Sequence, residues 1–151
     1  MKAIRTIFVK TILLMLLVGF IVFYPMFISI YVFLPLMIGF MGYILHKGIE
    51  ENNLFYIVIS LVYLINLDLN LSLPIFLSIV ASLIVYILLK NSFIYKIRCN
   101  ICISMVSVFM IDFLYLGLLL SYDFIFQTQS VILDELLLYS LLVDMLVVVI
   151  L

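Results

Sequence analysis

Residues 54–90 read LFYIVISLVYLINLDLNLSLPIFLSIVASLIVYILLK, an apolar run interrupted mainly around Asp68, Asn70 and Pro74. A transmembrane helix needs roughly 17–25 apolar residues. The stretch is too long for one such helix and has barely enough length for two. Its turn-forming residues lie between Asp68 and Pro74. The stretch therefore predicts a hairpin of two membrane-spanning helices.

The rest of the chain has a similar composition. Of its 151 residues, 70% are hydrophobic and 10% are charged, and the formal net charge is −1. A soluble domain of this length has too much surface to hide so many apolar side chains. The near-neutral charge argues against a nucleic-acid partner. We therefore expect an all-α membrane protein that forms a single polytopic domain, residues 1–151.

Four further apolar runs complete the predicted membrane topology. We expect the first span at Ile7–Tyr24, ended by Pro25, and the second at Met26–Leu45, with Pro35 as a kink. Ile101–Leu120 and Val131–Leu151 are the predicted fifth and sixth spans. The basic N-terminal region resembles a signal peptide, but no small-x-small cleavage site follows it, so we expect it to remain as a span. The predicted fold is a compact bundle of six transmembrane helices with short loops.

The positions of the basic residues agree with six spans. All of them then fall on the side of the N-terminus: Lys2, Arg5, Lys10, Lys47, Lys90, Lys96 and Arg98. The loops of the opposite side, around Pro25, residues 68–72 and residues 121–130, contain no Lys or Arg. The positive-inside rule then predicts that both termini lie in the cytoplasm. On that side we expect Lys90, Lys96 and Arg98 to contact anionic lipid headgroups.

Two acidic residues lie well inside predicted spans, Asp112 in the fifth and Asp144 in the sixth. A charged Asp at the centre of a membrane helix costs about 2.5–3.5 kcal/mol on insertion scales. Tyr115 and Ser140, each one turn from an acid, are candidate hydrogen-bond partners. Three interpretations remain open at this point: neutral carboxyls inside the bundle, a proton or cation relay, and contacts with polar residues in a partner's helix.

Small residues mark one face of the predicted fourth span. Ser78, Ala81 and Ser82 would allow another helix to approach closely, and a contact within this chain is favoured over a partner site. Cys99 and Cys102 form a C-x-x-C pattern, which we interpret as two buried thiols without a redox or metal role.

The residues contain no pattern typical of an active site. There is no Ser–His–Asp set, no H-E-x-x-H and no glycine-rich phosphate loop. Catalysis requires nucleophiles, bases or metal ligands at workable spacing. We therefore expect no enzymatic activity, no catalytic residue, no cofactor and no metal site.

The segment Leu61–Leu89 resembles the central hairpin of the MreD family of rod shape-determining proteins. The pattern of that family has an Asp, then a Pro-Leu-Gly-like turn about six residues later, then an apolar helix that ends in a Tyr. Asp68, Pro74 and Tyr86 stand at the corresponding positions. The sequence departs from the pattern where Leu64 replaces a Gly before the Asp and where Ile75 and Phe76 follow the Pro.

This resemblance implies a non-enzymatic component of the cell-wall elongation machinery in the bacterial inner membrane. Members of the family associate with the membrane-anchored protein MreC, and their fold is similar to the substrate-binding subunits of energy-coupling-factor transporters. Asp68 would brace the hairpin turn. The alternative is a small transporter subunit or solute-binding membrane protein that uses Asp112 and Asp144. The structural or partner-contact candidates are thus Asp68, Pro74, Ser78, Ser82, Asp112 and Asp144.

Overall fold

The computed structural model describes residues 2–31, 33–72, 74–91, 100–127 and 133–150 of the protein, which form helices joined by turns and short non-helical segments. Within these ranges the side chains of residues 2–10, 13–14, 100 and 133–137 are not described. The six helices are α1 (Lys2–Ile30), α2 (Ile38–Glu50), α3 (Leu54–Asn70), α4 (Leu77–Asn91), α5 (Asn100–Phe126) and α6 (Leu133–Ile150). The described residues form no β-strand, so the all-α prediction is confirmed for them.

One helix among the described residues is long and apolar enough to cross a membrane. It covers Ile101–Phe126, with a mean hydropathy of 2.2. Four shorter helical stretches are also apolar: Met15–Ile30, Leu54–Asn70, Leu77–Asn91 and Leu138–Ile150. Large apolar side chains point outward along them, as Leu142 and Leu146 do with 61% and 62% exposure. Surfaces of this kind are compatible with a membrane protein.

Helix α2 packs against four other helices, α3, α4, α5 and α6, whereas α5 packs against α2, α4 and α6, and α3 packs against α1, α2 and α4. The core between them contains Leu64, Leu67, Ile111 and Tyr115, all completely buried. Helix α2 is therefore surrounded by other helices, and its His46 side chain is buried among them, whereas Lys47 and Glu50 near its C-terminal end are exposed.

The prediction that Pro25 ends the first helix is wrong. Pro25 lies inside α1, which continues to Ile30. Proline has no N–H, so it cannot bond the carbonyl one turn earlier, and it loosens that turn. The Asn66 side chain of α3 donates a 2.7 Å hydrogen bond to the Val22 carbonyl oxygen in this turn. A side chain on a neighbouring helix therefore provides a donor where the proline has weakened the helix.

The prediction of one helix over Met26–Leu45 is also wrong. The chain leaves the helical conformation after Ile30 and resumes it only at Ile38. Pro35 lies in this interval, lacks an N–H, and disfavours the helical conformation of the residue before it. Met37, the residue before α2, has a left-handed backbone with φ 53° and ψ 30°. Pro35 therefore lies within a full break, which we call the break segment, residues 33–37.

The hairpin predicted for residues 54–90 is present as α3 and α4, joined by a turn at Pro74. Helix α5 continues to Phe126, six residues beyond the predicted end at Leu120, because residues 121–126 remain predominantly apolar. Cys102 is exposed and disulfide-bonded, so the expectation of a buried free thiol is wrong for it. Cys99 and most of the predicted basic loop after Lys90 lie outside the described residues.

Candidate functional site

The break segment is held in the bundle by side chains of other helices. Its own backbone bonds are at its ends: the Leu34 N–H donates to the Tyr31 carbonyl at 3.2 Å, and the Met37 carbonyl accepts from the Met41 N–H at 3.1 Å. The buried polar groups between them need other partners. The Tyr24 hydroxyl of α1 donates to the Pro35 carbonyl at 3.0 Å, and the Tyr63 hydroxyl of α3 donates to the Leu36 carbonyl at 2.9 Å. The Leu36 N–H donates to Ser140 Oγ of α6 at 2.9 Å. Three helices therefore fix the path of this segment.

Asp144 of α6 caps the helix that follows the break. Its Oδ2 accepts hydrogen bonds from the Gly39 N–H at 2.9 Å and the Phe40 N–H at 3.3 Å, both in the first turn of α2. The first N–H groups of a helix have no partner within the helix, and its N-terminus carries partial positive charge. Met37, the residue before α2, makes no capping bond with its side chain. Asp144 therefore caps the helix in its place.

Asp112 of α5 approaches the same turn from another side. A Cβ atom placed on Gly39 would lie 2.6 Å from Asp112 Oδ2, 2.8 Å from its Oδ1, and 2.8 Å from Val108 Cγ1. Real Cβ atoms do not make contacts this short, so the carboxyl occupies space that only a glycine leaves open. The structure thus brings together Asp112 and Asp144, which the sequence placed in separate spans without relating them.

The hydrogen-bond partners expected for these acids are different in the structure. Ser140 binds the Leu36 N–H, as described above, and not Asp144. The Tyr115 hydroxyl is buried without a hydrogen-bond partner and lies in electrostatic range of Asp68. Asp112 Oδ2 and Asp144 Oδ1 are also buried without a partner. Part of the acceptor capacity of this acid pair is consequently unused.

Asp68 occupies a second polar position, at the α3–α4 turn. Its Oδ2 accepts from Ser78 Oγ at 2.8 Å and from the Ser78 N–H at 3.3 Å, and it is fully buried. Pro74 precedes α4, and its carbonyl accepts a bond from the Leu77 N–H at 3.1 Å. Asp68 thus bridges the end of one helix and the beginning of the next through Ser78, which brings together two of the predicted residues.

Ser82 belongs to a contact between α2, α4 and α5. It is fully buried, and its carbonyl accepts from His46 Nε2 at 2.7 Å, while Ser107 Oγ lies 3.0 Å from Nδ1. Because a carbonyl can only accept, Nε2 carries the hydrogen and Nδ1 accepts from Ser107. Ser78, Ala81 and Ser82 are all buried inside the chain, so this small-residue face makes contacts within the bundle.

An apolar groove of about 490 Å³ opens between α4 and α5, lined by residues such as Leu88, Phe113 and Gly117. Its lining includes none of the three buried acids. Among the described residues, no three or more His, Cys, Asp or Glu side chains are grouped so that they could hold a metal ion.

Several residues of the site were missed by sequence reasoning. Gly39, Tyr24, Tyr63 and His46 contribute space or hydrogen bonds, but each has an ordinary local sequence context. The nearest signal is the pair of glycines at Gly39 and Gly42, one turn apart, because small residues often mark close helix contacts in membranes. A Cβ on Gly42 would lie 2.8 Å from Ser82 Oγ.

Comparison of the chain with protein-family models, with curated proteins and with solved structures finds no match. Two features of the structure bear on the role of the protein. The first turn of α2 meets the buried carboxyls of Asp144 and Asp112, and the α3–α4 hairpin is braced by a third carboxyl, that of Asp68.

Proposed function

We propose that this chain is an inner-membrane protein that crosses the bilayer six times, with both termini in the cytoplasm. Moving the first outer turn from Pro25 to the residues that directly follow Ile30 supports the proposal equally well, because residues 31–37 also contain no Lys or Arg. Helix α2 has 13 residues, and at about 1.5 Å per residue it covers only part of a hydrocarbon core about 30 Å thick. The break segment completes that crossing.

We further propose that the protein is a non-enzymatic scaffold of the MreD type in the cell-wall elongation machinery, in contact with an MreC-like membrane-anchored partner. The observation that carries this proposal is the backbone at Phe76, which has a φ of 71°. That left-handed conformation favours glycine, the residue that the MreD pattern has two positions after its proline. Phe76 thus departs from the MreD pattern in its side chain, but its backbone has the conformation that the glycine of the pattern favours.

The Asp68 contact supports the same proposal. The resemblance implies that this acid braces the hairpin turn, and its two bonds to Ser78 provide such a brace. The outward faces of α4 and α6 are apolar, so contact with a partner would be between helices.

A mild-detergent pull-down of the tagged protein from its own cells tests this role. We expect an MreC-like protein or a peptidoglycan synthase among the recovered partners, and rounded cells after depletion. Asp68→Ala should fail to restore cell shape, whereas Asp68→Asn, whose side-chain oxygen still accepts from Ser78, should restore it. Normal shape after clean deletion would contradict the proposal.

A second candidate function, a small transporter subunit or solute-binding membrane protein, is favoured by one observation. The interrupted helix presents its N-terminus to Asp112 and Asp144 inside the bundle, and helices broken at mid-depth are typical of transporter binding sites. Recovery of a pair of ATPases in the pull-down would favour this function over the scaffold. Asp112→Asn and Asp144→Asn should then abolish uptake while the variants still assemble.

A further inference from the structure

Asp112 and Asp144 come from different helices and meet at the first turn of a third. They are 3% and 0% exposed, and both carboxyls lie against Gly39: Asp144 Oδ2 accepts its N–H at 2.9 Å, and a Cβ placed on Gly39 would lie 2.6 Å from Asp112 Oδ2. Asp112 Oδ2 and Asp144 Oδ1 each lack a hydrogen-bond partner. Buried polar atoms normally have hydrogen-bond partners. The site formed by these two acids beside Gly39 therefore lacks a hydrogen-bond donor for the two unpaired oxygens.

The surroundings can stabilise one negative charge. Asp144 Oδ2 receives two backbone N–H groups and the partial positive charge of the α2 N-terminus. The two basic side chains that the structure describes do not reach the pair, because Lys47 lies 3.9 Å from Glu51 and Lys90 lies over the Tyr86 ring. The second carboxyl therefore has no described cation to balance it.

Among the described residues, the other titratable groups near the pair are phenols. Tyr24 of α1 and Tyr63 of α3 donate to the carbonyls of Pro35 and Leu36, just before the turn that Asp144 caps, and Tyr139 of α6 lies near Tyr24. Phenols are uncharged at neutral pH, so they add no compensating charge. Two neighbouring carboxylates in a buried site repel each other, which favours a proton on one of them.

We propose that Asp112 and Asp144 form a proton-binding site that holds a single proton between the two carboxyls. Asp144 is the carboxylate fixed by the first turn of α2, and Asp112 carries the proton, which it donates toward the unpaired Oδ1 of Asp144. This inference does not depend on which of the two functions proposed above is right, since a scaffold and a transporter subunit could both contain such a pair.

Labelling with dicyclohexylcarbodiimide tests the site in the full-length protein in lipid nanodiscs. The reagent adds a protonated carboxyl across a C=N bond: the proton goes to nitrogen and the carboxyl oxygen bonds to carbon, and the adduct rearranges to a stable N-acylurea. At neutral pH we expect one label per acid pair, on Asp112, located by peptide mass spectrometry. Glu51, which is exposed and paired with Lys47, should remain unlabelled.

Two variants distinguish a shared proton from an isolated neutral acid. Asp112→Asn should remove the label from the pair. Burial and the neighbouring carboxylate both favour the proton on Asp112, and Asp144→Asn removes only the second, so the loss of Asp112 labelling on raising the pH should occur at a pH about one unit lower in Asp144→Asn. An isolated neutral Asp112 would show the same pH dependence of labelling in both proteins.

An infrared difference spectrum of the unmodified protein gives a second measurement that needs no reaction. We expect one protonated-carboxyl C=O band that shifts in D₂O and is absent from Asp112→Asn. Absence of both label and band, labelling of both acids in one chain, or protection by Na⁺ but not by choline would each overturn the proposal, the last because a metal ion would then occupy the site.

Discussion

Gly39 is the residue at which a single added methyl group should disturb the site most. A Cβ there would come within 2.8 Å of both Asp112 oxygens and of Val108 Cγ1. We expect Gly39→Ala to destabilise the protein by about 1–3 kcal/mol, the usual cost of overpacking. Thermal unfolding of detergent-purified protein, followed by helical circular dichroism, measures the effect.

Gly117→Ala is the matched control for Gly39→Ala. Gly117 also lies within a helix, but a Cβ there would meet nothing within 4 Å. Alanine has the higher helix propensity, so this variant should be neutral or more stable by up to about 1 kcal/mol. Equal destabilisation of the two variants would show that the contact with Asp112 is unimportant.

Phe76 is held in a conformation that suits another residue. Its φ of 71° strains the backbone. Its side chain is 53% exposed, so the ring provides only part of the stabilisation that full burial would give. We expect Phe76→Gly to stabilise the protein by about 1 kcal/mol or less, since it removes the left-handed strain but increases the freedom of the unfolded chain. The same thermal unfolding measurement applies.

The neighbouring residue provides the comparison for this glycine substitution. Ile75 is 54% exposed but does not have a positive φ, so Ile75→Gly should only lose stability, by about 0.5–1 kcal/mol. If both variants lose stability to the same extent, the strain inferred at Phe76 is absent.

At the scale of helices, local sequence predicted the α3–α4 hairpin and located its turn, because Asp68 and Pro74 interrupt an otherwise apolar run. The same reasoning misplaced the first break. Pro25 and Pro35 look alike locally, yet one lies inside a helix and the other in a break. Asn66 supplies a donor near the first proline, and side chains from α1, α3 and α6 bind the second. These partners are remote in sequence, so no local pattern reveals them.

The candidate site was predictable only in part, for the same reason. Buried acids are costly in apolar helices, which is why Asp112 and Asp144 could be singled out. Their meeting at Gly39 depends on how three helices pack, and the capping of α2 by Asp144 spans 105 positions. The residue types were therefore visible in the sequence, but their arrangement was not.

Tyr63 tests how much α2 depends on the helices around it. Its hydroxyl satisfies the buried Leu36 carbonyl, so Tyr63→Phe leaves an unpaired acceptor. We expect a loss of about 1–3 kcal/mol in thermal unfolding. Tyr31→Phe is the control, because Tyr31 is 61% exposed and should lose much less. A negligible loss in Tyr63→Phe would mean that water replaces its hydroxyl.

For the whole molecule, the proposed topology places Ser72 outside and Lys47 inside the cell. In a Cys99→Ser, Cys102→Ser background, we expect Ser72→Cys to react with a membrane-impermeant maleimide in intact cells whose outer layers admit the reagent. Lys47→Cys should react only after the membrane is permeabilised. Both side chains are exposed in the structure, so a difference in labelling between the two positions would not be due to burial. Labelling of both in intact cells would contradict six crossings.

The hydrogen bonds from α6 to the start of α2 also constrain the order in which the protein can mature. Ser140 and Asp144 serve backbone groups that lie 104 and 105 positions earlier in the chain. A nascent chain emerges from the ribosome in sequence order, so α2 must wait for α6 before its first turn is satisfied. Until then, the N–H groups of Leu36, Gly39 and Phe40 need water or a biogenesis factor. The second helix is thus among the first to be synthesised and among the last to become stable.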